Sequence, residues 1–429
     1  MKRFPYTPLA AALIVGLFSS YASAAGFQLL EENASGLATA YAGAGSVADN
    51  ASTIFFNPAG MTQLKERELS VGVAAIGPSF KFTNGSSATG SFSTAGNGGD
   101  AGSWTAVPNA YLSWALQPDL YFGVGLCAPF GLKTEYSTPW IGSAQANSFS
   151  IETMNLNPSV AYRVNDQVSV GGGISYQHID AEYKRFAAVN DAGGAQFTKT
   201  SVTAKLKGDA WGWNLGAIFA VSPDTRVGLS YRSTMDYNTT GDITATGPTP
   251  ALNAGGTSGA TASLKLPDTA ILSLTHRLDN RWQLLSDLAW TGWSSIPKLD
   301  LVRTTTGQPA QTLITDFQDT WRVAVGANYQ YQPDLVLKFG VAYDQTPVKG
   351  ASTRLVSLPD ADRTQVSAGA QWKLNGGATF DLGLAYLVFA DAPINNNQTS
   401  ANPQINRGTV NGSYAGSVVI VGVQYSVPF

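Results

Sequence analysis

The last twelve residues, Val418 to Phe429, read VVIVGVQYSVPF and alternate between two kinds of side chain. One set of alternate positions is apolar or aromatic: Val419, Val421, Val423, Tyr425, Val427 and Phe429. The positions between them include the small and polar residues Gly422, Gln424 and Ser426. Successive side chains of a β-strand point to opposite faces. The pattern therefore predicts a strand with one face on lipid and the other on a polar interior.

The same alternation recurs upstream, and Phe429, with apolar residues at alternate positions before it, resembles the assembly signal of outer-membrane barrels. We expect lipid-facing side chains at Trp211, Trp213, Leu215, Phe219, Trp282, Leu284, Leu288, Trp290, Trp321, Val323, Val325, Leu337, Phe339, Val341 and Tyr343. The lumen-facing side chains between them are Asn214, Asp287, Arg322, Asn328, Gln330, Lys338 and Asp344. A soluble β-sandwich with the apolar faces as its core is the alternative.

The connections follow a rhythm from residue 67 onwards. Short turns occur around Pro118-Asp119, Asn165-Asp166, Pro223-Asp224, Asp279-Asn280, Pro333-Asp334 and Gly376-Gly377. They alternate with long polar segments near 83–103, 136–147, 187–199, 245–259, 301–312, 350–361 and 392–411. What lies between reads as about 14 strands, which predicts an all-β membrane protein, an antiparallel outer-membrane β-barrel with both termini on the periplasmic side.

Composition agrees with this fold class. Only 13% of the 429 residues are charged, 11% are aromatic, and mean hydropathy is near zero. The N-terminus carries Lys2 and Arg3, an apolar core, and Ala22-Ser23-Ala24, which predicts a signal peptide over residues 1–24 rather than a membrane anchor. Its removal takes the 26 basic residues to 24 against 29 acidic ones, and the resulting charge of −5 argues against nucleic acid as a partner.

Residues 25–66 do not follow the strand rhythm. They are rich in Ala, Gly, Ser and Asn, with scattered large apolar residues and a turn at Asn57-Pro58. Such a segment before the barrel, which we take as residues 67–429, predicts a plug or hatch inside the lumen, because a large unplugged barrel would leak polar solutes. A flexible linker is the alternative for this composition.

Several of these residues carry a resemblance to a known family. Gly26-Phe27-Gln28-Leu29, the run from Ser35 to Gly43, and Asn57-Pro58-Ala59 look like the N-terminal hatch of the FadL family of outer-membrane transporters for long-chain fatty acids and other hydrophobic molecules. The similarity covers essentially the whole mature chain. It implies a 14-stranded barrel closed by a hatch. It also implies that Phe27 reaches the substrate site, and that Asn57, Pro58 and Asp344 lie where hatch and barrel meet.

The predicted third strand runs into Pro129. A proline inside a strand removes a ladder donor, and Gly131 permits a bend. The proline could sit just above the membrane, or it could mark an inward kink that opens a window in the wall. The family resemblance implies the kink, with sideways exit of the solute into the outer leaflet. We expect Phe130 to line this window, and Pro129 with Gly131 to maintain it.

Arg185 is the candidate substrate-binding cation. It shares a strand parity with the polar residues Ser169, Ser175 and Gln177, near the loop end, and a solvated arginine at the barrel rim is the alternative. The context Arg185-Phe186 matches the family's arginine at the fatty-acid carboxylate. The family's partner lysine falls near Leu313, where this chain is apolar. This difference from the family pattern keeps neutral hydrocarbons open as substrates.

Enzymatic readings find little support. His178 and His276 are the two histidines, and neither can be placed with a serine and an acid in a catalytic arrangement. Cys127 is the single cysteine, and no metal or nucleotide motif is present, so no cofactor is expected. We expect a non-enzyme, a monomer in contact with outer-membrane lipid, that passively transports long-chain fatty acids. The alternatives are a channel for neutral aromatic or alkane hydrocarbons, a general porin, and a structural or adhesive barrel.

Overall fold

The computed structural model describes residues 26–189, 197–248 and 257–429. The predicted signal peptide, residues 1–24, and Ala25 lie outside the described residues, as do parts of the predicted long segments 187–199 and 245–259. In the described part of the chain, no helix is long and apolar enough to cross a membrane.

Over the described residues, the chain forms a closed antiparallel barrel of fourteen strands, several of which are interrupted. The first seven are β1 Arg67–Asn84, β2 Thr105–Gln117, β3 Leu120–Cys127 and Gly131–Glu135, β4 Ser148–Arg163, β5 Val168–Phe186, β6 Ser201–Ser222, and β7 Thr225–Arg232 and Met235–Thr246. The others are β8 Thr257–Leu266 and Thr269–Arg277, β9 Trp282–Thr291 and Lys298–Arg303, β10 Pro309–Ile314 and Thr320–Gln332, β11 Leu335–Asp344, β12 Arg363–Lys373, β13 Thr379–Phe389 and Ala392–Asn397, and β14 Thr409–Pro428. Pairing of β1 with β14, from Glu68↔Pro428 to Asn84↔Gly412, closes the barrel.

The predicted faces are confirmed. The apolar positions of β14, β10 and β11 are exposed on the outer wall, as at Val323, Val341 and Tyr425, while Lys338 and Gln424 are buried inside. The predicted short turns also separate the strands as expected. Closure satisfies the main chain in a solvent that offers no hydrogen bonds.

Two predicted long segments were partly wrong. Residues 298–303 and 309–314 form a hairpin that spans the predicted segment 301–312, and Ala392–Asn397 extends the strand into the predicted segment 392–411. These extensions carry polar residues on both faces, so they lack the alternation that identifies a lipid-facing strand.

Residues 26–66, which we call the hatch, pack against the inward faces of the barrel strands. The hatch contains two short helices, α1 Ala34–Leu37 and α2 Thr53–Phe56, and a 3-10 helix, Pro58–Gln63. Asn33 caps α1 by accepting the N–H of Gly36. The helices are too short to be stable alone, so the hatch depends on the barrel wall for its structure.

Barrel cations hold the hatch through its carbonyl oxygens. The donor and acceptor pairs are Arg163 to Thr62, Arg226 to Val47 at 3.0 Å, Arg232 to Phe55 at 2.8 Å, and Arg322 to Ala40 at 2.7 Å. Guanidinium groups have several N–H donors and suit this role. The four contacts distribute the anchoring over much of the hatch.

Lys338 forms the most deeply buried ionic contact between barrel and hatch. Its Nζ lies 3.1 Å from Asp49 of the hatch, 3.2 Å from Asp381 of β13, and 2.5 Å from the Ser35 hydroxyl. Both Lys338 and Asp381 are almost fully buried. An ion pair of this kind fixes geometry, and removing one partner leaves an uncompensated buried charge.

We therefore expect Lys338→Met to destabilise the folded protein by about 3–5 kcal/mol, since Asp49 and Asp381 lose their cation. Equilibrium unfolding in detergent measures the change. Lys373→Met is the matched control, because Lys373 is exposed and its Nζ donates to the neutral Gln330 side chain at 2.9 Å. Equal stability of the two variants would show that the buried ion pair does not hold the hatch.

Candidate functional site

The break in β3 is the first element of the candidate site. The strand stops at Cys127 and resumes at Gly131, and β2 pairs with it only as far as Leu126. On the β4 side, Thr153 spans the break: its hydroxyl accepts the Phe130 N–H at 2.9 Å, and its own N–H donates to the Phe130 carbonyl at 3.1 Å. The break therefore leaves an unpaired strand edge towards β2 alone.

The start of the hatch pairs with that edge. The Leu29 N–H donates to the Pro129 carbonyl at 2.8 Å, and the Gly131 N–H donates to the Phe27 carbonyl at 2.9 Å. Gln28 and Phe130 thus form an antiparallel bridge as a non-hydrogen-bonded pair. Residues 27–29 occupy the place that β2 leaves vacant.

An aromatic cluster packs around this bridge. Phe27 lies 5.0 Å from the Trp293 ring and 6.0 Å from Phe130, and Trp293 also contacts Phe130 at 6.3 Å and Phe317 at 5.9 Å. Edge-to-face contacts at these centroid distances are favourable. Trp293 comes from a short 3-10 helix, Trp293–Ser295, that interrupts β9 and turns the ring fully inwards. Sequence reasoning predicted Phe27 and Phe130 but missed Trp293.

Gly26 begins the described chain at a position that favours glycine. Its φ is +62°, and a Cβ there would lie 2.7 Å from the Trp293 ring. The Gly26 N–H donates to Asp360 Oδ2 at 3.0 Å. Asp344, expected at the hatch contact, accepts from Arg363 at 2.7 Å and lines a cavity between the hatch and the barrel wall. Arg363 also approaches Asp360, at 3.5 Å.

Asn57 and Pro58 lie between the hatch and the barrel wall. The Asn57 amide donates to the carbonyls of Gly45 at 2.7 Å, Ala217 at 3.0 Å and Leu229 at 3.3 Å. A Cβ at Gly171 would lie 2.8 Å from the Pro58 carbonyl carbon, so only glycine permits this approach. The residues fix the hatch to β5, β6 and β7, away from the break.

Arg185 lies at the upper end of β5 and is buried, with 7% of its surface exposed, which contradicts the alternative of a solvated rim residue. Its Nε donates to Gln311 Oε1 at 2.9 Å, and Nη1 donates to the carbonyls of Phe186 and Ala187 at 2.9 and 2.8 Å. Leu313 is buried two residues beyond Gln311. In the described part of the chain, no carboxylate forms an ion pair with Arg185.

Arg407 is a second buried cation that sequence reasoning missed, because a single arginine in a long polar loop gives no signal. The Val189 N–H donates to the Asn406 carbonyl at 2.9 Å, which brings Arg407 beside the segment that Arg185 contacts. The charges of Arg407 and Arg303 both act on Arg185. Burial lowers the pKa of Arg407, and its Nε has no hydrogen-bond partner among the described residues.

A small cavity of about 60 Å³ separates the hatch from the barrel wall. Its lining is mostly apolar, with a few charged groups, and includes Leu30, Tyr41, Phe55, Phe56, Ile271, Ala289, Arg232 and Arg322. Pockets for drug-sized ligands are about 300–1,000 Å³. This cavity is therefore too small for a long-chain solute while the hatch stays in place.

His178 lies on the outer wall. It is 2.8 Å from Asp209 and 3.3 Å from Asp180, and all three side chains are exposed. The contacts belong to a set of ion pairs on the outer face of β5 and β6, and His178 points away from the lumen and the break.

Known proteins resemble this chain over nearly its whole length. The model of the family described as outer membrane protein transport protein (OMPP1/FadL/TodX) matches residues 15–429. The long-chain fatty acid transport protein of Escherichia coli O6:H1 is 32% identical over 414 residues, covering 89% of this chain and 91% of that protein. Outer membrane protein P1 of Haemophilus influenzae is 32% identical, covering 90% of each chain.

Solved structures share the fold. A Pseudomonas aeruginosa FadL homologue superposes with a TM-score of 0.85 at 22% identity, covering 94% of this chain and 99% of the other. The Ralstonia pickettii toluene transporter TbuX gives a TM-score of 0.66 at 18% identity, covering 91% and 98%. The protein resides in the outer membrane. By its fold and by the family match over its length, the chain belongs to the OMPP1/FadL/TodX family of outer membrane transport proteins.

Proposed function

We propose that this protein transports long-chain fatty acids passively across the outer membrane. The fatty acid binds in the lumen, the hatch moves, and the fatty acid leaves sideways through the break in β3. The observation that carries the proposal is the pairing of Phe27–Leu29 with Pro129–Gly131. It makes the start of the hatch the closing piece of an opening in the wall. Moving a few residues would connect the lumen with the lipid.

Lateral release suits an apolar solute, because the solute passes from the aromatic cluster at the break into lipid without crossing the aqueous periplasm. Phe27, Phe130, Trp293 and Phe317 offer apolar surface along this route. The passage needs no energy source, since consumption of the solute inside the cell maintains the gradient. A hatch that fills the lumen does not suit a general porin.

Arg185 and Arg407 support a carboxylate as the polar end of the solute. Two buried guanidinium groups close enough to interact repel one another, and an anion between them would relieve that repulsion. Charge-assisted hydrogen bonds to a carboxylate are stronger than neutral ones. The relatives named as long-chain fatty acid transport proteins agree with this substrate class.

A channel for neutral hydrocarbons is the second candidate. The observation that favours it is the environment of Arg185, whose Nε and Nη1 already donate to neutral protein oxygens beside the apolar Leu313. Two of the structural neighbours are named toluene transporters. The two candidates differ in whether uptake depends on the arginine.

A reversible disulfide tests movement of the hatch. Gln28 and Phe130 are a non-hydrogen-bonded pair, whose Cα atoms are typically about 4.5 Å apart, within reach of a disulfide. In a Cys127→Ser background, we expect Gln28→Cys with Phe130→Cys to abolish fatty-acid uptake when oxidised and to regain it on reduction. Comparing both redox states of one variant controls for the loss of Phe130. Equal uptake in the two states would exclude movement of the hatch start.

The break itself is tested by restoring a regular strand. Replacing Pro129-Phe130-Gly131 with Val-Thr-Val should let β3 run on, because β-branched residues favour strands and Val supplies the missing N–H. We expect uptake to fall at least about tenfold, on the order of 1.4 kcal/mol in the barrier. Heat-modifiable migration on gels checks that the barrel is folded. Normal uptake by a correctly inserted variant would contradict lateral release through β3.

The arginine is tested by comparing two solutes in cells that lack their own transporter. We expect Arg185→Ala to lower uptake of a labelled fatty acid about tenfold or more, the effect of losing hydrogen bonds to a charged group worth about 1.5–3 kcal/mol. Uptake of an alkane of the same length should not change. Arg277→Ala, at an exposed turn beside Asp224, is the control. If the native protein takes up only the alkane, and Arg185→Ala does not change that uptake, the protein is a hydrocarbon channel.

A further inference from the structure

Three amide side chains lie at one level of the inner wall directly below the break in β3, with Cys127 between Asn109 and Asn155. Asn155 of β4 is opposite Cys127, the last residue before the break, and Gln177 of β5 is opposite Asn155. Ala110 of β2 pairs with Leu126. Its neighbour Asn109 therefore lies at the level of Cys127. All three are at least 96% buried. We call Asn109, Asn155 and Gln177 the amide row.

The amide row contains polar atoms without partners. Within residues 26–189, 197–248 and 257–429, no hydrogen bond reaches Oδ1 or Nδ2 of Asn109 or Oδ1 of Asn155. Gln177 interacts with the Tyr237 hydroxyl. Glu32 of the hatch lies beside the row, where it interacts with the Cys127 thiol, and its Oε2 lies 3.3 Å from the Tyr111 hydroxyl. A buried polar group without a partner is costly, and native structures contain few of them. Several at one level indicate a place built for a hydrogen-bonding guest.

The arrangement selects for an uncharged guest. The free atoms are one donor, Nδ2 of Asn109, and two acceptors, Oδ1 of Asn109 and Oδ1 of Asn155. Burial raises the pKa of the nearby Glu32 to about 8, which favours its neutral form. Arg232 acts on Glu32 electrostatically, but its guanidinium already donates to the Ser175 hydroxyl and the Phe55 carbonyl. The amide row therefore offers neutral hydrogen bonds and no free cation.

The amide row lies beside the proposed exit path. An amphiphilic solute that leaves through the break passes its polar end over Asn109 and Asn155 before that end enters the wall. A charged group in hydrocarbon is far more costly than a neutral one. A site that hydrogen-bonds the neutral form beside the opening would lower the cost of desolvating that end.

We propose that the amide row is a transit site, which binds the uncharged polar end of a long-chain amphiphile, a hydroxyl or a protonated carboxyl group, as the solute turns from the lumen into the break in β3. The inference rests on the proposed function, since it presumes lateral release. It assigns a role to Asn109, Asn155 and Gln177 that is separate from carboxylate recognition at Arg185.

The test measures uptake of a labelled long-chain alcohol, fatty acid and alkane of the same length by cells expressing the full chain. In the double variant Asn109→Leu with Asn155→Leu, we expect uptake of the alcohol and the acid to fall about tenfold, the effect of about one net hydrogen bond. Alkane uptake should stay within about twofold, since leucine resembles asparagine in size but cannot bind a hydroxyl. Replacing Asn155 by threonine in place of leucine in the double variant keeps a hydroxyl in the row. This change should restore most of the alcohol uptake.

The matched control is Asn328→Leu. Asn328 also faces the lumen, and its Oδ1 has no hydrogen-bond partner among the residues that the structure describes, but it lies on β10, away from the break, and its amide donates to Gln283. Heat-modifiable migration confirms that each variant is folded. Equal loss of all three solutes in a folded double variant, or no loss of any, would overturn the transit site. Native protein that takes up none of the three would refute the proposed function instead.

Discussion

The main chain at the break in β3 must find hydrogen-bond partners in a wall that faces lipid, and this requirement links the barrel to the hatch. Thr153 supplies partners on the β4 side, and Phe27 with Leu29 supplies them on the side that β2 leaves. A peptide group left unpaired at this depth costs about 1–3 kcal/mol. The break in β3 and the start of the hatch are therefore one structural unit, because each supplies hydrogen-bond partners to the other.

The hatch divides into an anchored part and a start that is held by fewer contacts. From Ala40 to Thr62, four arginines reach its carbonyls, and Lys338 reaches Asp49 inside the barrel. Before Leu30, two strand-like hydrogen bonds and the contact of Gly26 with Asp360 hold the main chain. A displacement confined to the start breaks the fewest interactions. On the proposed function, the anchored part would stay in the lumen while the start of the hatch moves.

The fold could be predicted because lipid imposes a period of two on every spanning strand, and β14 and β11 show it without interruption. The hairpin over 298–303 and 309–314 escaped prediction, since strands above the membrane have no face that must be apolar. Proline rules located the break at Pro129, but could not show that residues 27–29 fill it. Arg407 and Trp293 join Arg185 and Phe27 only through the folded barrel. No local sequence spacing encodes such contacts.

On the proposed function, charge recognition and release occur at different places. Arg185 and Arg407 lie near the loop ends of β5 and β14, where a carboxylate would arrive from water still ionised. The break in β3 leads into hydrocarbon, where a carboxylate cannot follow its chain without a large desolvation cost. A cation at the opening would hold an anionic end back, whereas neutral amides release it. Arginines at the entrance and asparagines at the exit therefore suit a solute that is bound as an anion on entry and released into the membrane at the exit.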